Sequence, residues 1–225
     1  MMRAARVLAL CQEVLFPRRC PFCDEVLGFS GPCAACAEGL RPTQRVPGAP
    51  VPLLGREARY VDCVYAPYFY EGIARNAILR MKFYDRPELA EPLAADVAEA
   101  LRAADALPPF DLLVPVPAVE AERRGRGYDV PKRLAHALGG ALELPVARAL
   151  RKTRETPRQA QLSGKARRSN LRGAFAARPE VPLSGKRVLL VDDVYTTGAT
   201  LDECAKELKA AGAVLCAGAC VAAVR

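Results

Sequence analysis

The sequence predicts an α/β fold with a mostly parallel central sheet, covered by helices on both faces and preceded by a small cysteine-rich module. Three observations predict it. Apolar, strand-like runs alternate with helix-patterned segments from residue 61 onward, two C-x2-C pairs lie within residues 20–36, and a proline-rich stretch separates the two regions. At 225 residues the chain fits one sizeable domain and an appendage, because single cores usually run to about 100–200 residues. The division falls in residues 41–55, which carry Pro42, Pro47, Pro50 and Pro52, so an N-terminal unit over 1–55 and a main domain over 56–225 are expected.

Along the chain, residues 1–16 read as a short amphipathic helix and not as a signal peptide, since Gln12 and Glu13 interrupt the apolar run and no small-residue cleavage site follows. Residues 61–70, rich in Tyr, Val and Phe, predict a strand or hairpin. Leu93, Val97 and Leu101 recur at helical spacing within 89–107, residues 111–116 form a short apolar strand, and 131–144 are helix-like. A further strand is expected at 186–191, a helix at 201–211 closed by Gly212, and a last buried strand at 213–224. His136, the single histidine, reads as a partly buried packing residue beside Leu134 and Leu138. No run reaches the roughly 18 apolar residues needed to span a bilayer.

Cys20, Cys23, Cys33 and Cys36 give C-x2-C, nine residues, C-x2-C, with Gly28 and Gly31 between. Two such turns bring four thiolates to the corners of a tetrahedron, the arrangement of structural Zn2+, and metal binding would supply the folding energy that so small a module lacks. A redox dithiol pair, buried unliganded cysteines and an iron–sulfur cluster are the competing readings. Cys11, Cys63, Cys204, Cys216 and Cys220 lie among apolar or helical neighbours and read as packing residues. Nine cysteines without a secretory signal point to a reducing compartment, the cytoplasm.

The net charge of +8 is concentrated. Residues 148–178 hold ten Lys/Arg against Glu155 alone, and the remainder is close to neutral. A local basic stretch suggests an anion, although a solvated loop kept soluble by charge has the same composition.

The most informative segment is residues 187–201, RVLLVDDVYTTGATL. An apolar strand ends in Asp192 and Asp193, and ligands of open α/β sheets bind beyond the carboxyl ends of strands. Two adjacent carboxylates there are costly to bury unless hydrogen bonds or a cation satisfy them, as ribose hydroxyls and Mg2+ would. Thr196, Thr197, Gly198, Ala199 and Thr200 then form a small-residue turn into a helix, where unpaired amides, hydroxyls and close backbone approach make a phosphate cradle. An ordinary strand–turn–helix would explain the threonines and the glycine but not the acid pair.

This string resembles the signature for PRPP (phosphoribosyl pyrophosphate) of type I phosphoribosyltransferases, and the chain as a whole resembles the ComF family, associated with DNA uptake and natural competence. Besides the signature, the resemblance rests on the cysteine module, on VPVP at 114–117, on RGY at 126–128, and on Arg154, Thr156, Gln159, Leu162, Arg167, Asn170 and Phe175. It implies a type I phosphoribosyltransferase-like fold after a zinc ribbon that would form a hood over the site. It further implies Asp192 and Asp193 as the catalytic acids on the ribose, directly or through Mg2+, and the turn at 196–200 on the 5-phosphate. Val116, Pro117 and Arg126 would complete the PRPP site, the first two facing pyrophosphate. The basic segment, with Arg154, Thr156, Gln159, Arg167 and Asn170, resembles the mobile loop that closes over PRPP. Where the family tends to read RGFNQ this chain reads RGYDV, which puts ligand contacts by Asp129 and Val130 in doubt.

Three functions fit these residues. The first is an enzyme that transfers phosphoribosyl from Mg-PRPP to an acceptor. The second is a non-catalytic competence factor that binds single-stranded DNA or senses PRPP, and the third is an adaptor whose ribbon docks a helicase-like partner. Aromatic residues are sparse in the basic segment, so it gives base stacking no support. The resemblance also leaves a homodimer open, since type I relatives are often dimers.

Overall fold

The computed structural model describes residues 17, 19–27, 33–53, 60–104, 109–118, 125, 127–154 and 170–225. The helix expected at 1–16 and the site candidates Arg126, Thr156, Gln159 and Arg167 lie outside the described residues. In chain order the elements are α1 (Ala34–Leu40), β1 (Cys63–Tyr65), β2 (Tyr68–Phe69), α2 (Gly72–Phe83), α3 (Ala90–Arg102), β3 (Leu112–Pro115), α4 (Val130–Leu142), β4 (Leu150–Lys152), β5 (Phe175–Ala177), β6 (Arg187–Tyr195), α5 (Ala199–Ala210) and β7 (Leu215–Ala223).

The main sheet runs β1-β7-β6-β3, with β2 also pairing β7, and every pairing is parallel. Leu113 bridges in parallel to Val146 at the β3 edge. Side chains alternate between two cores, as the period of a strand requires. Leu189, Val191, Ala217 and Ala219 face α2, α3 and α4, while Val188, Leu190, Cys216 and Cys220 face α5 and the β4-β5 ribbon. The central strand β7 is built of small residues so that its neighbours can close in on it. A Cβ on Gly218 would stand 2.6 Å from Leu201 Cδ1. Cys204, Cys216 and Cys220 are buried packing residues, as their neighbours suggested.

Several expectations change. Residues 61–70 form no hairpin, because β2 continues along β7 in the direction of β1. Pro67, lacking an N–H, falls in the gap between them. The strand expected to end at 191 runs on to Tyr195, since its pairing with β7 continues (Asp192↔Cys220, Val194↔Ala222) after β3 has ended at the Pro115↔Val191 pair. The proline-rich stretch lies along the sheet, Val51 N–H donating to Val64 O and Arg45 N–H to Pro67 O. His136 is exposed on α4, off the buried stripe of Leu134, Ala135 and Leu138. Among the described residues no helix is long and apolar enough to cross a membrane.

Tyr68 Oη donates to Asp96 Oδ2 of α3 at 3.0 Å. Burial pushes the Asp96 carboxyl up to about 6, with the Tyr68 hydrogen bond opposing and Glu99 adding. A raised folded pKa gives stability that is complete below the unfolded value of about 4 and lost as pH rises through about 6. Asp96→Asn is therefore expected to raise the melting temperature by about 3 °C near pH 8 and to change little near pH 4, as calorimetry would record.

Candidate functional site

β3 ends at Pro115 opposite Val191, and the candidates lie on β6 beyond that pair and on the chain that leaves each strand. Asp193 is the one buried acidic residue among the described residues, at 8% exposure. It is satisfied by Lys82 of α2, whose Nζ lies 2.7 Å from Oδ1. Asp192, the next residue back on the strand, departs towards the opposite face. Its Oδ1 turns to accept the Asp193 N–H at 2.9 Å. Burial, and then the Asp193 charge, pushes the Asp192 carboxyl up to about 7, against the pull of Lys82. For Lys82 burial favours the neutral amine, but Asp193 and then Asp192 outweigh it and hold the ammonium above its ordinary value. The acids are thus set within the strand, and not at its tip as the sequence suggested.

Beyond Tyr195 the chain turns through Thr196 and Thr197 to Gly198, the residue before α5. Gly198 takes φ +76°, and a Cβ there would meet Tyr195 Oη at 2.7 Å, so the turn requires glycine. The first amides of α5 have no intrahelical acceptor and carry the positive end of the helix dipole. On the far side Asp202 Oδ1 accepts the N–H groups of Tyr60 and Val61 at 2.7 and 3.1 Å, fixing the helix start.

After β3, Val116 to Ala118 line a cavity of about 430 Å3. Val116 is buried and its N–H is already donated to Val191 O at 2.9 Å, and Pro117 has no N–H. Neither residue offers an amide to an anion, so the positive charge of the cavity comes from side chains. Six are cationic, Lys132, Arg148, Arg151, Lys152, Arg154 and Arg178, against Asp129 alone. Among the described residues the walls do not include Asp192, Asp193 or the turn at 196–200.

The ribbon that carries Arg151 and Lys152, with Arg148, Arg154 and Arg178 at its strand ends, was not foreseen. β4 and β5 pair antiparallel and bring together the two ends of the basic segment. Arg154 Nη2 donates to Asn170 O at 2.6 Å, Thr153 Oγ1 to Gly173 O at 2.6 Å, and Gly173 N–H to Glu203 of α5 at 2.8 Å. The RGYDV stretch is explained locally. Tyr128 Oη donates to Met81 O, Asp129 caps α4 by accepting the Lys132 N–H at 3.0 Å, and Val130 is buried in the core. Aspartate caps a helix as well as asparagine does.

At the N-terminal end the four sulfurs of Cys20, Cys23, Cys33 and Cys36 all lie within 4.8 Å of one another, with Cys23 and Cys33 3.8 Å apart. A tetrahedron of Zn–S bonds of about 2.3 Å has edges of about 3.8 Å, so this donor set fits zinc. Arg19 bridges Val26 across the first knuckle, and Cys20 N–H donates to Glu25 O. Asp24, in the left-handed region at φ 71°, faces the end of α2. Arg86 and Arg80 reach it at 2.6 and 3.1 Å. The Arg86 hydrogen bond holds its carboxyl down to about 2 despite burial, with Arg80 and Arg19 assisting.

The phosphoribosyl transferase domain model matches residues 125–225. The DNA utilization protein YhgH of Salmonella typhi is 30% identical over 220 residues, 88% of this chain and 93% of that protein. Competence protein F of Haemophilus influenzae is 34% identical over 142 residues, 60% of this chain and 61% of that protein. This chain belongs to the ComF family. Among solved structures, it is similar to glutamine PRPP amidotransferase from B. subtilis at 22% identity and a TM-score of 0.41, over 63% of this chain and 30% of that one. In this ComF chain the fold is that of type I phosphoribosyltransferases, with its parallel sheet following the cysteine module. Lys82 and the β4-β5 cations are additions that the signature does not contain. The first was legible as a lysine four residues after Ile78, on the edge of an apolar helix stripe.

Proposed function

We propose that this chain binds Mg-PRPP at the carboxyl ends of β3 and β6 and transfers its phosphoribosyl group to an acceptor, in the service of DNA uptake. The observation that carries the reading is the order of groups beyond the Pro115–Val191 pair of β3 and β6: Asp192 and the buried, lysine-paired Asp193, a glycine-hinged helix start, and, after β3, a cavity with six cations. Asp192 and Asp193 would hold the ribose hydroxyls, and the turn of Thr196 to Thr200 the 5-phosphate. The cavity would hold the diphosphate, guanidiniums pairing bidentately with its oxygens. In the reaction the bond from C1 to the diphosphate oxygen breaks as the acceptor's bond to C1 forms. The cations stabilise the charge that collects on departing pyrophosphate. The cysteine module would hold zinc as a structural hood over residues 56–225, with Mg2+ arriving as part of the substrate. The names of the relatives, a DNA utilization protein and a competence protein, support the cellular role.

A second reading is a non-catalytic competence factor that uses the same cations on a DNA backbone, with a helicase-like partner at the ribbon. The excess of six cations over one acid favours any polyanion. Calorimetry with PRPP and Mg2+, followed by pyrophosphate release in a screen of acceptors, separates the two. Saturable PRPP binding with pyrophosphate release is expected. Salt-sensitive binding of single-stranded DNA that PRPP does not compete away, with no affinity for PRPP, would favour the second.

A further inference from the structure

Lys82 lies outside the residues matched by the phosphoribosyl transferase model, yet it reaches into the acid pair. The buried stripe of α2 runs through Ala74, Ala77, Ile78 and Met81, and Lys82 extends it by one helical turn from Ile78. Burying an ammonium costs several kcal/mol unless an opposite charge meets it. Here the Lys82 and Asp193 side chains are 22% and 11% exposed, and they meet at 2.7 Å. The helix end that delivers this lysine is held from two sides. Tyr128 Oη donates to Met81 O from the start of α4, while Arg80 and Arg86 both grip Asp24 of the cysteine module.

From this arrangement we infer that Lys82 is a positioning residue that fixes Asp193 for a sugar hydroxyl and keeps free divalent cations off it. The ammonium occupies Oδ1. Among the described residues Oδ2 has no hydrogen-bond partner, so it is left to accept a hydroxyl of the ribose. A second positive charge brought onto the same carboxylate would stand a few ångströms from the ammonium, in a site where water screens little. The acid pair therefore takes a neutral diol. A metal enters only with the diphosphate that already carries it. The inference rests on the reading that Asp192 and Asp193 hold the sugar.

The test titrates the full chain with Mn2+ in the absence of PRPP, following free Mn2+ by its paramagnetic resonance, and separately measures PRPP affinity at fixed Mg2+. The wild type is expected to show no Mn2+ site that Asp193→Asn removes. Lys82→Met, which keeps the apolar stem, is expected to gain such a site, at least about tenfold tighter than any residual Mn2+ binding of the wild type, and Lys82→Met/Asp193→Asn to lose it again. Lys82→Met should also weaken PRPP by about tenfold or more, with Lys82→Arg restoring much of the affinity. A purely structural role would give no gain of metal. Lys82→Gln serves as the second variant if Lys82→Met fails to fold. Equal Mn2+ affinity in wild type and Lys82→Met, or unchanged PRPP affinity in Lys82→Met, overturns the inference. A wild type that ignores PRPP while Lys82→Met gains the Mn2+ site overturns the sugar reading and leaves cation exclusion standing.

Discussion

Asp192→Asn/Asp193→Asn is expected to lower PRPP affinity by at least about a hundredfold, because hydrogen bonds to charged groups contribute roughly 1.5–3 kcal/mol each. Asparagine keeps the shape of each side chain and removes its charge, so the loss reports on the carboxylates and not on packing. The single variants part in stability. Asp193→Asn leaves the Lys82 ammonium buried opposite a neutral amide and should destabilise the fold by about 3 kcal/mol. Asp192→Asn should do the reverse at alkaline pH. The Asp192 carboxyl, raised to about 7, contributes stability that is complete below about 4 and lost as pH rises through about 7. Near pH 8 its replacement is therefore neutral or stabilising while PRPP binding falls. Calorimetric binding and melting curves, read together, check both. Affinity within about threefold of wild type in the double variant would place PRPP elsewhere.

Cys20→Ser is expected to strip the metal from the N-terminal module and unfold it. Structural zinc contributes on the order of 10 kcal/mol to such modules, which have little core of their own. Cys20 is buried and its N–H closes the first knuckle on Glu25 O, so serine there removes a sulfur that solvent cannot replace. Elemental analysis should find about one zinc per chain in the wild type and a small fraction of that in the variant. The damage should travel. Asp24 joins the module to Arg80 and Arg86, and Phe22 packs edge-on against Tyr68 with ring centroids 6.0 Å apart. Faster amide exchange in α2 is therefore expected alongside metal loss. Full zinc content in Cys20→Ser, or iron in the wild type, would refute the zinc assignment.

Much of the candidate site was written in the chain because its parts are local. Strand, acid pair, threonine–glycine turn and helix follow one another within residues 187–210, and each has a residue-level signal: an apolar run, two carboxylates, a glycine among threonines. The four cysteines were equally legible, because two C-x2-C turns of fixed spacing each bring a pair of sulfurs together, and in the fold all four lie within 4.8 Å of one another. Asp129 and Val130 could be seen to depart from the family pattern. That Asp129 caps α4 and Val130 enters the core depends on how α4 packs in the fold.

The sequence by itself therefore determined the alternation that makes a parallel sheet, the order of chemical groups along β6 and α5, and the four cysteines whose sulfurs gather into a set that fits a metal. Tertiary structure alone decided that β6 runs past its acids to Tyr195, that residues 61–70 follow β7 as two short strands, and that Lys82 meets Asp193 across more than a hundred residues of chain. It also decided that the two ends of the basic segment zip into β4-β5, putting five of its cations beside Lys132 of α4 around one cavity. The reason is physical. Period and turn chemistry act between residues a few positions apart, whereas the partner of a buried charge and the end of a ladder are fixed by which strands and helices pack together.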